Sequence, residues 1–315
     1  MVPLLLLLAP GSQGASQVST ASSGPEPESY RISVDVDLVV LHATVRDRNG
    51  HLIPGLREEH FKVYEDGVLQ SIRLFRNEDI PVTVGLVVDH SGSMRPKLSH
   101  VAAAIRTFVQ ASNPEDEMFV VNFNEHVTLG LPGPIRFTNR SSDIESAVLN
   151  APVTGRTALY DAVAEALQHL QAGSREKKAL VVISDGGDNA SAHNLDQVLR
   201  MAGQSSSLVY TIGVFDPHDP DRNPRVLRRL ARAAGGEALF PEEIGEVVGL
   251  CERVARDLRH QYTLGYLSTG ATKPGVYRNI RVDARAKGMG RLVVRTRAGY
   301  ITGGMPRPAN NEEVP

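Results

Sequence analysis

A chain of 315 residues, 41% hydrophobic and 22% charged, is long enough for one sizeable buried core and a smaller second one. Its formal net charge of −2 excludes the overall basic character that is typical of nucleic-acid-binding domains. The single cysteine, Cys251, excludes an intrachain disulfide, and its helical apolar surroundings predict a small buried side chain rather than a reactive thiol.

The N-terminal residues have the pattern of an export signal. Leu4 to Ala9 form a short apolar run, and the small residues from Ser12 to Ser16 follow it, which predicts a signal peptide over residues 1–17. Because no Lys or Arg precedes the run, a disordered cytosolic N-terminus is the alternative. Residues 18–29, rich in Ser, Pro, Gly and Glu, predict a flexible linker. We therefore expect an exported protein (periplasmic, outer-surface or secreted) without a transmembrane segment.

Two stretches of β pattern lie on either side of the centre of the chain. In residues 30–79, the alternation that begins at Ile32 and the turns Asn49-Gly50 and Glu65-Asp66-Gly67 predict a β-meander. Residues 262–304 contain three further strand patterns, and residues 305–315 predict a disordered tail. Because a lone two- or three-stranded piece is marginal, we expect both flanks to form one small β-sandwich.

Residues 80–261 alternate between apolar strand patterns and amphipathic helix patterns. The first buried strand runs from Val82 to Val88, and the fourth from Ala179 to Ser184. This alternation predicts an α/β fold, a doubly wound and mostly parallel sheet with helices on both faces. Ligands of such sheets bind beyond the carboxyl ends of the strands, where the strand order reverses.

Oxygen-bearing side chains occupy this position in the sequence. Asp89, Ser91 and Ser93 follow the first strand directly, and their alternation lets them point into a common cleft. Thr157 lies in the segment G-R-T-A-L-Y-D-A, and Asp185 follows the fourth strand in S-D-G-G-D. If these two strands are neighbours, both carboxylates face one crevice. Carboxylate and hydroxyl oxygens suit Mg²⁺, Mn²⁺ or Ca²⁺, and no Cys or His at ligand spacing offers a zinc site.

The pattern D-x-S-x-S, followed by a distant T and by a distant D after a strand, resembles the metal-ion-dependent adhesion site of the von Willebrand factor type A (VWA) domain family. The resemblance covers roughly Ile80 to Tyr262, and with its flanks the chain is similar to bacterial exported VWFA-related proteins. It implies a Rossmann-like VWA fold and a bound Mg²⁺, Mn²⁺ or Ca²⁺. The implied partner is a protein whose Asp or Glu carboxylate completes the coordination. The implied ligands, direct or through water, are Asp89, Ser91, Ser93, Thr157 and Asp185.

Other interpretations of these residues remain open. The motif could persist without metal, with Ser91 or Ser93 capping a helix, or the metal could only tie loops together in a structural or envelope-assembly protein. A metal-dependent hydrolase is disfavoured because the cluster is poor in general bases, so we do not expect an enzyme. Asp188 is expected to be a loop or cap residue, and Asp161 to support the Thr157 loop. The oxygen-rich segment 216–224 could bind Ca²⁺, but a rigid loop that caps the next helix is favoured.

Overall fold

The computed structural model describes residues 38–215, 222–270 and 273–302, which belong to one unit of the chain. Within these residues the strands are β1 (Leu38–Arg46), β2 (Phe61–Glu65), β3 (Val68–Gln70), β4 (Ile72–Arg76), β5 (Val82–Asp89), β6 (Glu117–Phe123), β7 (Val127–Leu129), β8 (Lys177–Ser184), β9 (Leu208–Gly213), β10 (Ala238–Leu239), β11 (Tyr262–Leu267), β12 (Tyr277–Ala284), β13 (Val293–Arg295) and β14 (Gly299–Ile301). The α-helices are α1 (Leu98–Ala111), α2 (Ser141–Leu149), α3 (Leu159–Leu170), α4 (Leu195–Gln204), α5 (Pro224–Ala233) and α6 (Val247–Arg259).

The centre of the chain forms a six-stranded sheet in the order β10-β9-β8-β5-β6-β7. All neighbouring strands are parallel except the edge strand β7, which pairs antiparallel with β6. Every residue of β5 is buried, as expected for an inner strand that is covered on both faces. Because β6 and β8 lie on opposite sides of β5, the strand order reverses beside β5, and β5 and β8 are neighbours as the sequence predicted.

Helices cover both faces of this sheet and supply the predicted doubly wound α/β architecture. Helix α1 packs against α6 and α2, whereas α3, α4 and α5 pack in succession. Helix α1 packs through an apolar stripe, because Val101, Ile105 and Phe108 recur at helical spacing and are buried. Among the described helices, none is both long and apolar enough to cross a bilayer.

Gly85 makes room for the packing between β5 and its neighbours. A Cβ atom at this position would lie 2.4 Å from Phe119 Cζ and 2.5 Å from Leu180 Cδ2. We therefore expect Gly85→Ala to lower the free energy of unfolding by about 2 kcal/mol, because the core is already filled. Urea unfolding measures the loss. The matched control is Gly249→Ala in α6, where a Cβ meets nothing within 4 Å; it should instead stabilise by up to about 1 kcal/mol. Equal effects at the two glycines would contradict this account.

The flanks form two further four-stranded antiparallel sheets, in the orders β13-β1-β11-β4 and β14-β12-β2-β3. Their facing sides share an apolar core that includes Leu41, Val63, Tyr262, Leu264 and Val282. Both flanks contribute strands to each sheet, so the expected β-sandwich is confirmed. Glu65 is buried in it and accepts hydrogen bonds from Tyr266 Oη at 2.7 Å and Tyr300 Oη at 3.1 Å.

The predicted N-terminal meander is wrong in its pairing. The turn at Asp66 and Gly67 joins β2 and β3 in a hairpin, and the predicted turn at Asn49-Gly50 brings Leu52 opposite Arg46, but β1 pairs along its length with β11 and β13. The physical reason is the burial of β1 on both faces, which gives it an inner position with a partner on each side. The alternating residues Ile32 to Val36, together with the predicted signal peptide, linker and C-terminal tail, lie outside the described residues.

The second face of β1 is polar and packs against the helix-flanked domain. Arg46 forms an ion pair with Asp257 of α6, in which the two side chains are 9% and 1% exposed. Gln261, which follows α6, donates to Thr44 Oγ1 at 3.1 Å and to Tyr210 Oη at 3.3 Å. Thr44 and Arg46 of β1 therefore join the sandwich to the domain that is inserted between its strands.

His42 belongs to the same polar face and is held neutral. Burial, followed by the charges of Lys177 and Arg297, lowers the pKa of His42 to about 3. The unfolded imidazole binds a proton near pH 6.5, so the unfolded state gains protons first and stability falls as the pH falls from 6.5 towards 3. We expect the titration of His42 to lower the free energy of unfolding by about 2 kcal/mol between pH 7 and pH 5.

His42→Gln should remove that part of the pH dependence, because glutamine does not titrate and can still reach Thr263 Oγ1, which lies 3.2 Å from His42 Nδ1. Urea unfolding of both proteins at pH 7 and pH 5 gives the comparison. His100→Gln, at an exposed site on α1, is the control and should leave the slope unchanged. An unaltered pH dependence in His42→Gln would show that folding does not lower the pKa of this imidazole.

Candidate metal centre

The loop that follows β5 is organised around the carboxylate of Asp89. Asp89 is the last residue of β5 and is fully buried. Its Oδ1 accepts a hydrogen bond from the backbone N–H of Ser91 at 2.8 Å, and its Oδ2 accepts one from Ser184 Oγ at 2.6 Å. A short 3₁₀ turn, Gly92–Met94, then leads the chain away from the sheet, with Met94 buried beneath it. These bonds fix both oxygens of Asp89 at the carboxyl end of the sheet.

The second carboxylate reaches the same cleft from β8. Val88 pairs with Ile183, so Ser184 stands beside Asp89, and Asp185 follows at the strand end. Ser93 Oγ donates to Asp185 Oδ2 at 2.6 Å and lies 3.2 Å from Ser91 Oγ. The other oxygen of Asp185 accepts from the backbone N–H of Gly187 at 3.0 Å. Four of the five predicted site residues are thus joined by direct hydrogen bonds.

Thr157 is brought to the cleft by backbone hydrogen bonds to both neighbouring loops. Its N–H donates to Asn189 Oδ1 at 2.9 Å, and its carbonyl accepts from the N–H of Asn189 at 2.9 Å. On the other side, Gly92 N–H donates to Gly155 O at 3.3 Å. No hydrogen bond within the described part of the chain engages Thr157 Oγ1, so this hydroxyl retains its ligand capacity.

Two supporting residues were missed by the sequence reasoning. Ser184 was treated only as the end of a strand, although it is the one hydroxyl that follows the apolar run of β8. Its position opposite Asp89 follows from the parallel register and could have been found from the strand pairing. Asn189 carries no such signal, because its contact with Thr157 depends on how two loops meet.

The acidic residues near the site have structural partners. Asp188 Oδ1 accepts from Tyr160 N–H at 3.1 Å, which caps the first turn of α3. Asp161 accepts from the N–H groups of Ala192 and His193, which fixes the loop before α4. Of the oxygen-rich segment 216–224, residues 216–221 lie outside the described residues. Asn223, which follows them, donates its N–H to Asp185 O at 2.9 Å and caps α5 through its side chain.

The site concentrates negative charge without a protein cation. Burial, followed by the charge of Asp185, raises the pKa of Asp89 to about 6, although the hydrogen bonds from Ser184 and Ser91 act in the opposite direction. Among the described residues, neither Asp89 nor Asp185 forms an ion pair with Lys, Arg or His. Two close carboxylates in a buried cleft leave an uncompensated charge that a cation would neutralise.

The donor set indicates which kind of cation fits. Across residues 38–215, 222–270 and 273–302, no group of three or more His, Cys, Asp and Glu side chains could hold a metal ion. Nitrogen- and sulfur-rich metal centres are therefore not formed by these residues. Two carboxylates and three hydroxyls are hard oxygen donors, and such sets suit Mg²⁺, Mn²⁺ or Ca²⁺ with water in the remaining positions.

The fold and the site together define a class: a Rossmann-like α/β domain with an oxygen-lined cleft where the strand order reverses. Residues 84–187 match the family model of the von Willebrand factor type A domain. This part of the chain is a von Willebrand factor type A domain, a kind of domain that typically serves in protein interaction. No curated protein matches the chain.

Several solved structures are similar to this chain. A von Willebrand factor type A protein from Catenulispora acidiphila is 13% identical with a TM-score of 0.51, covering 85% of this chain and 73% of that one. The vWF domain of the type V pili tip protein Mfa5 from Porphyromonas gingivalis is 12% identical with a TM-score of 0.49, and the match covers 56% of this chain and 95% of that one. An aerotolerance-related membrane protein from Bacteroides fragilis is 15% identical with a TM-score of 0.45, and the match covers 56% of this chain and 98% of that one. The likeness to the Catenulispora protein concerns the fold.

Proposed function

We propose that the chain is a divalent-cation-dependent protein-binding module of the adhesion type. Asp89, Ser91, Ser93, Thr157 and Asp185 would hold Mg²⁺, or alternatively Mn²⁺ or Ca²⁺, directly or through water. A carboxylate from an Asp or Glu of a partner protein would complete the coordination. The observation that carries the proposal is the pair of buried carboxylates, Asp89 and Asp185, which share one cleft with three hydroxyls and lack a cationic partner among the described residues.

The charge balance of this donor set supports a binding role. Two carboxylates neutralise a divalent ion, and the three hydroxyl ligands add no further negative charge. When bound, the ion would supply a positive centre in a partly desolvated cleft, where attraction to an incoming carboxylate is stronger than in water. The residues of this chain would hold the ion at the carboxyl edge of the sheet, where a partner can reach it.

A binding role is also favoured over hydrolysis by the surroundings of the nearest imidazole. His90 is 1% exposed. Its Nε2 lies 2.9 Å from Val148 O and its Nδ1 lies 3.1 Å from Val88 O, so both ring nitrogens face backbone carbonyls. These contacts commit His90 to the structure of the loop, which leaves the ring no nitrogen to offer a substrate as a general base.

We place this function outside the cytoplasm, in the periplasm, on the outer surface or in the secreted fraction. The support for this location is the apolar N-terminal run of the sequence, Leu4 to Ala9, with its following small residues. Determining the N-terminal sequence of the mature protein in the envelope and culture fractions tests the location. A mature protein that retains Met1 and remains in the cytosol would overturn it.

The experiment for the binding function is a pull-down from envelope extract with the full chain as bait. Partners should be captured in Mg²⁺ and lost in excess chelator, and they should not be captured by Asp185→Asn at either condition. The matched control is Asp196→Asn, which removes an exposed carboxylate from α4 and should retain the Mg²⁺-dependent partners. Capture that persists in chelator would instead favour a structural role in which metal only ties the loops together.

A further inference from the structure

A small cavity lies between the β-sandwich and the helix-flanked domain, away from the carboxyl-edge cleft. Its volume is about 10 Å³, which is the space that one water-sized occupant requires. His42 of β1 lines it on one side, Thr296 and Arg297 on a second, and Ser206 and Ser207 on a third. Ser206 is exposed and Ser207 is buried, so the cavity lies close to the protein surface. None of the lining residues that the structure describes is acidic.

Arg297 is a buried cation for which no described residue supplies a carboxylate partner. The residue is 8% exposed, and in the described part of the chain it forms no ion pair. Its Nη2 donates to Val40 O at 2.9 Å, and its guanidinium lies 5.5 Å from the ring centre of Tyr300. Arg46, which is about as buried, has the counter-charge of Asp257. Because a buried charge is costly unless it is paired, Arg297 requires compensation from another source.

Two buried polar atoms of residues that line the cavity have no hydrogen-bond partner among the described residues. They are Arg297 Nε and Thr296 Oγ1. The guanidinium N–H is a donor only, and the threonine hydroxyl can donate as well. A set of donors around a cavity without acidic residues fits an acceptor that carries negative charge better than it fits a cation or a neutral donor.

We propose that this cavity binds a monoatomic anion, chloride under ordinary conditions, as the counter-ion of Arg297. The anion accepts hydrogen bonds from Arg297 and Thr296, whose unpartnered atoms can donate. Because its ligands come from the segment between β13 and β14 and its other neighbours from β1 and from the connection between α4 and β9, it joins the sandwich to the helix-flanked domain. The proposal is independent of the metal centre.

The first test is thermal unfolding of the full chain in chelator, at constant pH and constant ionic strength, with chloride or bromide replacing gluconate, which is too large for the cavity. We expect a saturating rise of the midpoint by about 3 °C, since an anion that binds only the folded state stabilises it by mass action. In the variants Thr296→Val and Arg297→Gln, the unfolding midpoint should no longer show a saturating rise with halide concentration. Arg295→Gln is the matched control, because Arg295 pairs with Glu237 instead, and it should keep the response.

The second test locates the ion. Crystals of the full chain soaked in bromide should show an anomalous peak between Arg297 and Thr296. A water molecule at that place in bromide, or a halide response that persists in Thr296→Val, would overturn the proposal. If Arg297→Gln fails to fold, Thr296→Val and the bromide peak still decide the question, because neither requires that variant.

Discussion

Addition of Mg²⁺ to the full chain is expected to raise its thermal unfolding midpoint by about 5 °C at a concentration far above the dissociation constant. The physical reason is the repulsion between the buried carboxylates of Asp89 and Asp185, which the cation would replace by two attractions. Without metal, Asp185→Asn removes this repulsion, and its amide can accept from Gly187 N–H and donate to Ser93 Oγ, so its midpoint should be no lower than that of the parent protein. In Mg²⁺ the order reverses, because the variant has one carboxylate fewer to hold the ion.

This reversal is what makes the experiment specific. A variant that is merely misfolded has a lower midpoint under both conditions, whereas loss of a ligand lowers it only when metal is present. Differential scanning fluorimetry in chelator and in a series of Mg²⁺ concentrations provides the measurement, and Asp196→Asn should behave like the parent protein. A metal-dependent rise of equal size in Asp185→Asn, or no rise in the parent, would exclude Asp185 as a ligand or exclude the metal.

Replacement of Arg46 by methionine is expected to lower the free energy of unfolding by about 3–4 kcal/mol. The change leaves Asp257, whose side chain is 1% exposed, as a buried carboxylate without its nearest counter-charge. It also removes the hydrogen bond from Arg46 to Gly50 O. The effect exceeds that of a surface ion pair because a buried charge cannot be solvated by water when its partner is lost.

Two comparisons separate the charge effect from lost packing. The double variant Arg46→Met with Asp257→Leu should recover most of the loss, because neither residue then leaves a charge behind.

Burial already raises the pKa of Asp257, and loss of Arg46 raises it further, so a proton can neutralise the carboxylate at low pH. The loss in Arg46→Met should therefore be smaller at pH 5 than at pH 8. The control Arg256→Met, at an exposed pair on α6, should cost no more than about 0.5 kcal/mol in urea unfolding. A pH-independent loss would point to packing.

The central sheet could be predicted from sequence because its strands are apolar on both faces. Runs such as Val82 to Val88 and Ala179 to Ser184 have few alternative structures, and the polar residues after them mark the carboxyl edge of the sheet. Helix α2, Ser141–Leu149, was not predicted. Its buried stripe consists only of Ile144, Ala147 and Val148, and no side chain caps its first residue. Such a short and weak pattern carries little periodic signal.

The pairing of β1 could not be predicted for a different reason. Its alternating residues satisfy two surfaces, an apolar one towards the sandwich core and a polar one towards α6, and only the assembled chain shows the second. The position of the candidate site could be predicted, because Asp89 and Asp185 follow neighbouring strands. The hydrogen bond from Ser184 to Asp89 and the tie between Asn189 and Thr157 depend on register and on loop packing, which residue types alone do not fix.

The strand pairing also determines in which order the chain can assemble. Leu38 pairs with Leu267, and Arg46 with Val293, so β1 acquires its neighbours only after the whole helix-flanked domain has been made. Contacts between residues so far apart in sequence form slowly, whereas β5 and β6 pair across a short stretch of chain. The helix-flanked domain can therefore fold first. Its folding brings α6 and β11 close to β1, which precedes the domain in the chain. Until then β1 is an unpaired strand with one apolar face, so a newly made chain is most exposed to aggregation before β11 has been made.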